Sequence, residues 1–551
     1  MTSRSAGRSS TLTSLLAGVA VLLATSCGGQ PDTAAANAKI ATLLPESTVA
    51  VLRITSIDQI NKHKRALEAD LGEADNGIDA IDMLALSGMP LGDTRLIDTS
   101  LPIVVAVTSK RATPPTVTAV VPVTNVAAYT KSLEAASITP TVDGNYVAIP
   151  MIGPYKRAAA APDVLTRLRP GTISLHADLE SLTKTYKVAI LSGIDLFEQQ
   201  IAAVMEMGDP NIDSEAFAEM YGSIARAITD STKTLDLSLD WKGGMCDFDV
   251  SLDVKPGSAM AGWSSPAIDL TPLVRGMSGK GGLEVLFQMD MKSMMPRLIA
   301  MMESLGDIYP EEFQTVLTEL MAAYEGIYEQ IESGMVMEGD LFGEEGMRMT
   351  AQMMPKDSDK FVTMISDLLV GDALKKLGVV AEAAKTSTDG DMKITDINLA
   401  IDMNKLMTLS GQPAAQEDQV SAAFQAMFVD GMAIRMAQRG DRLVMTFGKD
   451  REAAAKATLT ASDGAWTPMV QTALDRLEGC NPLIIERIDF ASMMAAAFAT
   501  MAKSGTRVPN VPKDLSSNIL FFGGVNGNQW RGGFSVEVGG LVEISRLMIP
   551  R

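Results

Sequence analysis

Apolar and polar positions along this chain change period in a recurring order. A short apolar run gives way to an aspartate, and the aspartate to a pattern with helical spacing. The runs are 172–175, 283–287, 394–401 and 483–488, followed by Asp178, Asp290, Asp402 and Asp489. A looser version, Ile54-Thr55-Ser56-Ile57, opens the chain after the strand-like Ser47 to Ile54. Successive aspartates are 112, 112 and 87 residues apart. An aspartate at a strand-to-helix junction accepts hydrogen bonds from free backbone N–H groups and opposes the helix dipole. The four are therefore expected to be structural helix caps and not catalytic acids.

The segments after the caps repeat as well. After Asp178, apolar positions at Phe197, Ile201, Val204 and Met205, then Phe217, Tyr221, Ile224 and Ile228, predict two amphipathic helices. After Asp290 a second helix carries Phe313, Val316, Leu317, Leu320, Tyr324 and Ile327 on one face. Hairpins are predicted at 235–254 turning at Gly243-Gly244, at 335–354, at Arg439-Gly440-Asp441 and at Asn526-Gly527. The fold class expected is α+β: tandem modules of strand, amphipathic helices and β-hairpin, forming antiparallel sheets covered by helices. Residues 40–275 make one half and 283–551 the other, with the Gly-rich 276–282 as linker. This organisation resembles that of uncharacterised exported bacterial proteins, a resemblance that brings no active site with it.

The N-terminus has a different pattern. Arg4 and Arg8 precede an uncharged run from Leu12 to Leu23, then Ala24-Thr25-Ser26-Cys27-Gly28. This reads as a signal peptide over 1–26. With a cysteine at the cleavage point, it resembles the lipobox of bacterial lipoproteins, although Ala24 stands where that box usually has Leu. The resemblance implies lipidation of Cys27, a tether over 27–39, and attachment to the cell envelope. Gly28, rather than Asp, after the cysteine points to the periplasmic face of the outer membrane. The membrane would then be a partner through the N-terminal lipid.

Composition narrows the partners. Of the 551 residues 46% are hydrophobic and 21% charged, enough to bury several cores. The net charge of −20, or −22 once Arg4 and Arg8 leave with the signal, repels nucleic acid and anionic lipid. Cys246 and Cys480 are a candidate disulfide in an oxidising compartment, or two buried thiols. The 36 methionines fit adaptable packing better than metal ligation, because only two histidines exist and none joins a methionine cluster.

No catalytic motif is complete. Ser181-Leu182-Thr183-Lys184 and Lys503-Ser504-Gly505 resemble boxes of penicillin-recognising enzymes, but Ser516-Ser517-Asn518 lies after both, out of that family's order. Ser181 also recurs as Ser293 and Ser492, a framework position. His63 is expected on a solvated helix face, and His176 on the side of its strand opposite Ile173 and Leu175. Asp389-Gly390-Asp391 and Asp209 to Asp213 read as turns before calcium sites. No metal, cofactor or catalytic residue is expected. The leading expectation is a non-enzymatic, lipid-anchored binding or scaffold element, its partner a hydrophobic ligand or an envelope protein. The alternative is an envelope hydrolase using a pair of carboxylates.

Overall fold

The computed structural model describes residues 33–71, 79–82, 90–108, 116–208, 214–242, 244–262, 267–288, 319–320, 326–327, 329–340, 347–402, 405, 432–448, 450–503, 508–509, 511–512 and 515–548. Cys27, Asp290, the Asp209–Asp213 turn and Met289 to Met302 lie outside them. The chain forms two compact units, one of residues up to Gln200 with 222–261, the other of 201–221 with 262–551. In both, helices accompany antiparallel sheet, so the α+β class is correct.

In the first unit the strands are β1 (Thr48–Ile54), β2 (Ile103–Thr108), β3 (Val117–Pro122), β4 (Thr141–Asp143), β5 (Tyr146–Ile152), β6 (Ile173–Asp178), β7 (Thr232–Lys242) and β8 (Met245–Val254). They pair antiparallel in the order β8-β7-β6-β1-β2-β3-β5-β4. Alternation along β1 sends Ile54 to one core and Val51 to another. Helices α2 (Ile57–Leu71) and α3 (Val126–Ala135) supply Ile57, Ile60, Tyr129 and Leu133 to the first core. Helix α1 (Thr33–Leu43) supplies Ala36, Ile40 and Leu43 to the second. This corrects the tether expected over 27–39. From Thr33 the alanine-rich run is a helix, because alanine favours helix and Ile40 and Leu43 give it an apolar face to bury.

Two helices, α4 (Leu179–Gly208) and α5 (Ser214–Ser231), follow β6. Within the first unit, Arg226 joins them by donating to Glu198 at 2.7 and 2.8 Å and to Asp195 at 2.9 Å.

The second unit has β9 (Leu283–Phe287), β10 (Ile331–Asp340), β11 (Arg348–Pro355), β12 (Val379–Ala381), β13 (Lys385–Asp389), β14 (Met392–Ile401), β15 (Met432–Arg439), β16 (Arg442–Gly448), β17 (Asn481–Asp489), β18 (Asn518–Asn526) and β19 (Gln529–Glu537). Its antiparallel order is β19-β18-β17-β9-β10-β11-β16-β15-β14, with β12 and β13 both on β14. Helices α6 (Ser358–Val370), α7 (Arg451–Thr460), α8 (Pro468–Arg476), α9 (Phe490–Lys503) and α10 (Val538–Met548) accompany it. Met353 and Met436 pack with Phe361 of α6, and Met335 and Met445 join them. These methionines are core filler.

The Gly-rich segment does not act as a linker between units, because residues 276–282 lie within the second one. Gly276 adopts φ +85°, and a Cβ there would press on the Thr458 backbone at 2.8 Å. The loop closes around one carboxylate. Glu338 accepts from the Ser278, Lys280 and Gly281 backbone N–H groups at 2.6, 2.9 and 3.0 Å. Successive N–H groups converging in this way make an anion nest, and here the chain fills it with its own side chain.

Candidate functional site

Alternation in the second unit gives its sheet two unlike faces. On β17, Ile485 and Arg487 are buried, while Ile484, Glu486 and Ile488 point the other way and are half-exposed. Cross-strand pairing carries that second face over five strands. Phe287 stands between Ile484 and Met335, and Val285 between Glu486 and Met337. Phe521 is beside Glu486, and Ile519 beside Ile488. Phe534 faces Phe521 with ring centroids 6.3 Å apart, and Val536 faces Ile519. Phe521 is 47% exposed and its neighbours are half-buried. A single exposed apolar residue is ordinary, but a connected set of aromatic, methionine and branched side chains in one sheet face is not.

The opposite face holds a buried ion pair. Glu284 is 1% exposed and Arg487 5%. Arg487 Nε donates to Glu284 Oε2 at 2.6 Å, its Nη1 to Asn518 Oδ1 at 2.6 Å, and its Nη2 to the Gly281 carbonyl. The Thr467 hydroxyl and backbone N–H complete Glu284 at 2.6 and 3.1 Å. A buried ion pair is tolerable only when its remaining donors and acceptors are met in this way. Sequence reasoning misses this pair. Its one signal is a charged residue at an inward position of each strand, in Leu283-Glu284-Val285 and Glu486-Arg487-Ile488.

Asp178 and Asp489 sit at strand-to-helix junctions. Asp178 accepts from the Ser181 N–H at 2.9 Å and its hydroxyl at 2.7 Å. Asp489 does the same with Ser492 at 3.2 and 2.7 Å. Asp402 accepts from the Lys405 N–H at 3.2 Å. Ser181 is thus held in a cap, and Lys184 binds Glu180 at 2.7 Å, so neither is poised as nucleophile or base.

The two histidines have unlike surroundings. His176 is buried and its Nδ1 lies 2.6 Å from Asp236 Oδ1. His63 is not simply solvated: it stacks on Trp241 at 6.0 Å between ring centroids. Burial, and then Lys62, hold it below its usual value. Cys246 and Cys480 belong to different units, the first a thiol packed against the core around Ile54 and Leu239, the second a thiol within the core around Ile485 and Phe522. Burial, with Asp247 and Asp240, pushes the Cys246 thiol up to about 11. Asp389 and Asp391 are engaged by Lys456 and Arg439 at 2.9 and 2.8 Å. Among the described residues no group of three or more His, Cys, Asp or Glu is placed to hold a metal ion.

No known family profile matches the chain, and no curated protein does. Among solved structures, crystal forms I and III of TP0453 are similar at a TM-score of 0.21, with 8% and 7% identity. The alignments cover 51% of this chain and 99% and 98% of those. At that score the likeness carries no argument.

Proposed function

We propose that this is a lipid-anchored envelope protein whose second unit binds an apolar ligand on the face formed by Phe287, Met337, Ile484, Ile488 and Phe521. One observation carries the reading: apart from Glu486 the face is apolar, and it is connected across strands and only half-buried. Methionine and aromatic side chains adapt to ligands of varied shape, as binding surfaces of low specificity require. The strand orders β8-β7-β6-β1-β2-β3 and β19-β18-β17-β9-β10-β11 support reading the two units as diverged copies of one module. Attachment rests on Cys27 in its lipobox-like setting. No described helix is long and apolar enough to cross a membrane. In this reading acyl chains on Cys27 hold the protein to the outer membrane, as more than one chain is needed for stable anchorage.

The carboxylate hydrolase gains no support. Glu284, the only fully buried acid among the described residues, is already engaged by Arg487 and Thr467. Native mass spectrometry of full-length protein from its own host tests the carrier reading. Bound lipid is expected in wild type and should fall at least several-fold in Phe521→Glu. Reproducible absence of lipid from wild type, or equal loading of the variant, overturns it. Cys27→Ser should release the protein from membranes. Unchanged retention and lipid labelling would refute the anchor.

A further inference from the structure

The first unit also buries an arginine, and this one has no acid bonded to it among the described residues. Arg53 on β1 is 5% exposed. Its described hydrogen bonds both come from Nη2, to the Arg169 carbonyl and the Ser174 hydroxyl oxygen, each at 3.3 Å. Its Nε is buried with no acceptor. The residues directly beside it are uncharged: Val104 on β2 and Ser174 on β6. The acids of β7 that flank its row are already engaged, Asp236 by His176 and Asp240 by Thr172. Burial lowers the Arg53 guanidinium below its usual value.

Arg487 shows how this chain satisfies such a group, with a carboxylate on Nε, a side-chain oxygen on Nη1 and a carbonyl on Nη2. Arg53 has the carbonyl and a hydroxyl but not the carboxylate. A guanidinium gives up hydration at high cost unless a fixed anion replaces it. Its planar fork matches carboxylate and phosphate oxygens.

We propose that Arg53, with the Ser174 hydroxyl beside it, is a subsite for a small oxyanion, a carboxylate or phosphate group. The group arrives either as a free ion or as the head of a lipid. Entry needs the 167–171 segment to move, since Arg169 and Gly171 bond to Arg53 and Thr55 across it, and the Arg169 carbonyl accepts from the Ser174 hydroxyl at 2.7 Å, a donor which that movement frees for the anion. The site is in the first unit and does not depend on the apolar face of the second.

Thermal unfolding of the full chain in inorganic phosphate, in short-chain phosphatidate and in chloride of equal ionic strength tests this. At ten times Kd, phosphate or phosphatidate should raise the midpoint of the first unit by about 3–6 °C. A response to both marks the free ion, and a response to phosphatidate alone marks the lipid head. Arg53→Met should abolish the shift, and Ser174→Ala should reduce it. No shift in wild type, or an equal shift in Arg53→Met, overturns the proposal. If Arg53→Met does not fold, the Arg53 Nε–H resonance of wild type decides: it must move on adding phosphate, and a static resonance overturns the site.

Discussion

Arg487 Nε and Glu284 Oε2 meet at 2.6 Å between β17 and β9, with neither side chain reaching solvent to any useful degree. Their strands are adjacent in the sheet although about 200 positions separate them in the chain. The pair therefore reports on the tertiary fold of the second unit and on nothing local.

Breaking it one side at a time should be severe. Glu284→Leu leaves a buried guanidinium without its anion and should cost about 3–5 kcal/mol. Glu284→Leu combined with Arg487→Met removes both charges and should recover most of that loss. Urea unfolding of the four members of this cycle measures it. Additive losses would show that the two residues do not act as a pair.

The caps should give smaller effects. Asp178→Ala and Asp489→Ala each remove an acceptor for a Ser N–H and a Ser hydroxyl. Each is expected to cost about 0.5–2 kcal/mol, and the double substitution about the sum. Membrane attachment and ligand loading should not change. Loss of either at full stability would give these aspartates a role beyond capping.

Glu338 organises a loop through backbone donors, so its removal should loosen that loop and little else. Glu338→Ala strips the acceptor from the Ser278, Lys280 and Gly281 amides. Hydrogen exchange at these amides should quicken by about tenfold, as expected for losing roughly 1.4 kcal/mol of local protection. Exchange in β17 should stay slow. Unchanged exchange across 278–281 would mean that glycine conformation alone fixes the loop.

The alternation in 483–488 and the turns at Gly440 and Gly527 are legible in the sequence, because strand period and positive φ leave local signatures. So are the caps, since an aspartate and the amide three residues on are in one turn. The Gly-rich 276–282 segment is not, because composition does not distinguish a loose linker from a tight loop whose amides need room to converge. The run at Thr33 is equally ambiguous, as small residues suit both a tether and a helix with somewhere to pack. Arg53, Glu284 and the apolar face of the second unit are out of reach, since each is defined by strands far apart in the chain.

Cys246 ties burial to pH. Its thiol is pushed from an ordinary value near 9 to about 11, first by burial and then by Asp247 and Asp240. The folded chain therefore holds this proton more tightly than the unfolded chain. The resulting stability is fully present below about pH 9 and is lost as pH rises toward 11. Urea unfolding at pH 8, 9, 10 and 10.5 should show wild type losing more stability than Cys246→Ala over that window, and the two running parallel below it. With Cys246 and Cys480 both as thiols, each should also react with a thiol reagent in denaturant without prior reduction, and labelling only after reduction would show that the two pair. In the folded chain near pH 8 both should react far more slowly than an exposed cysteine, since little Cys246 thiolate is present and Cys480 is buried. Rapid labelling of folded Cys246 at that pH would show a thiolate more accessible than its place on β8 against the core around Ile54 permits.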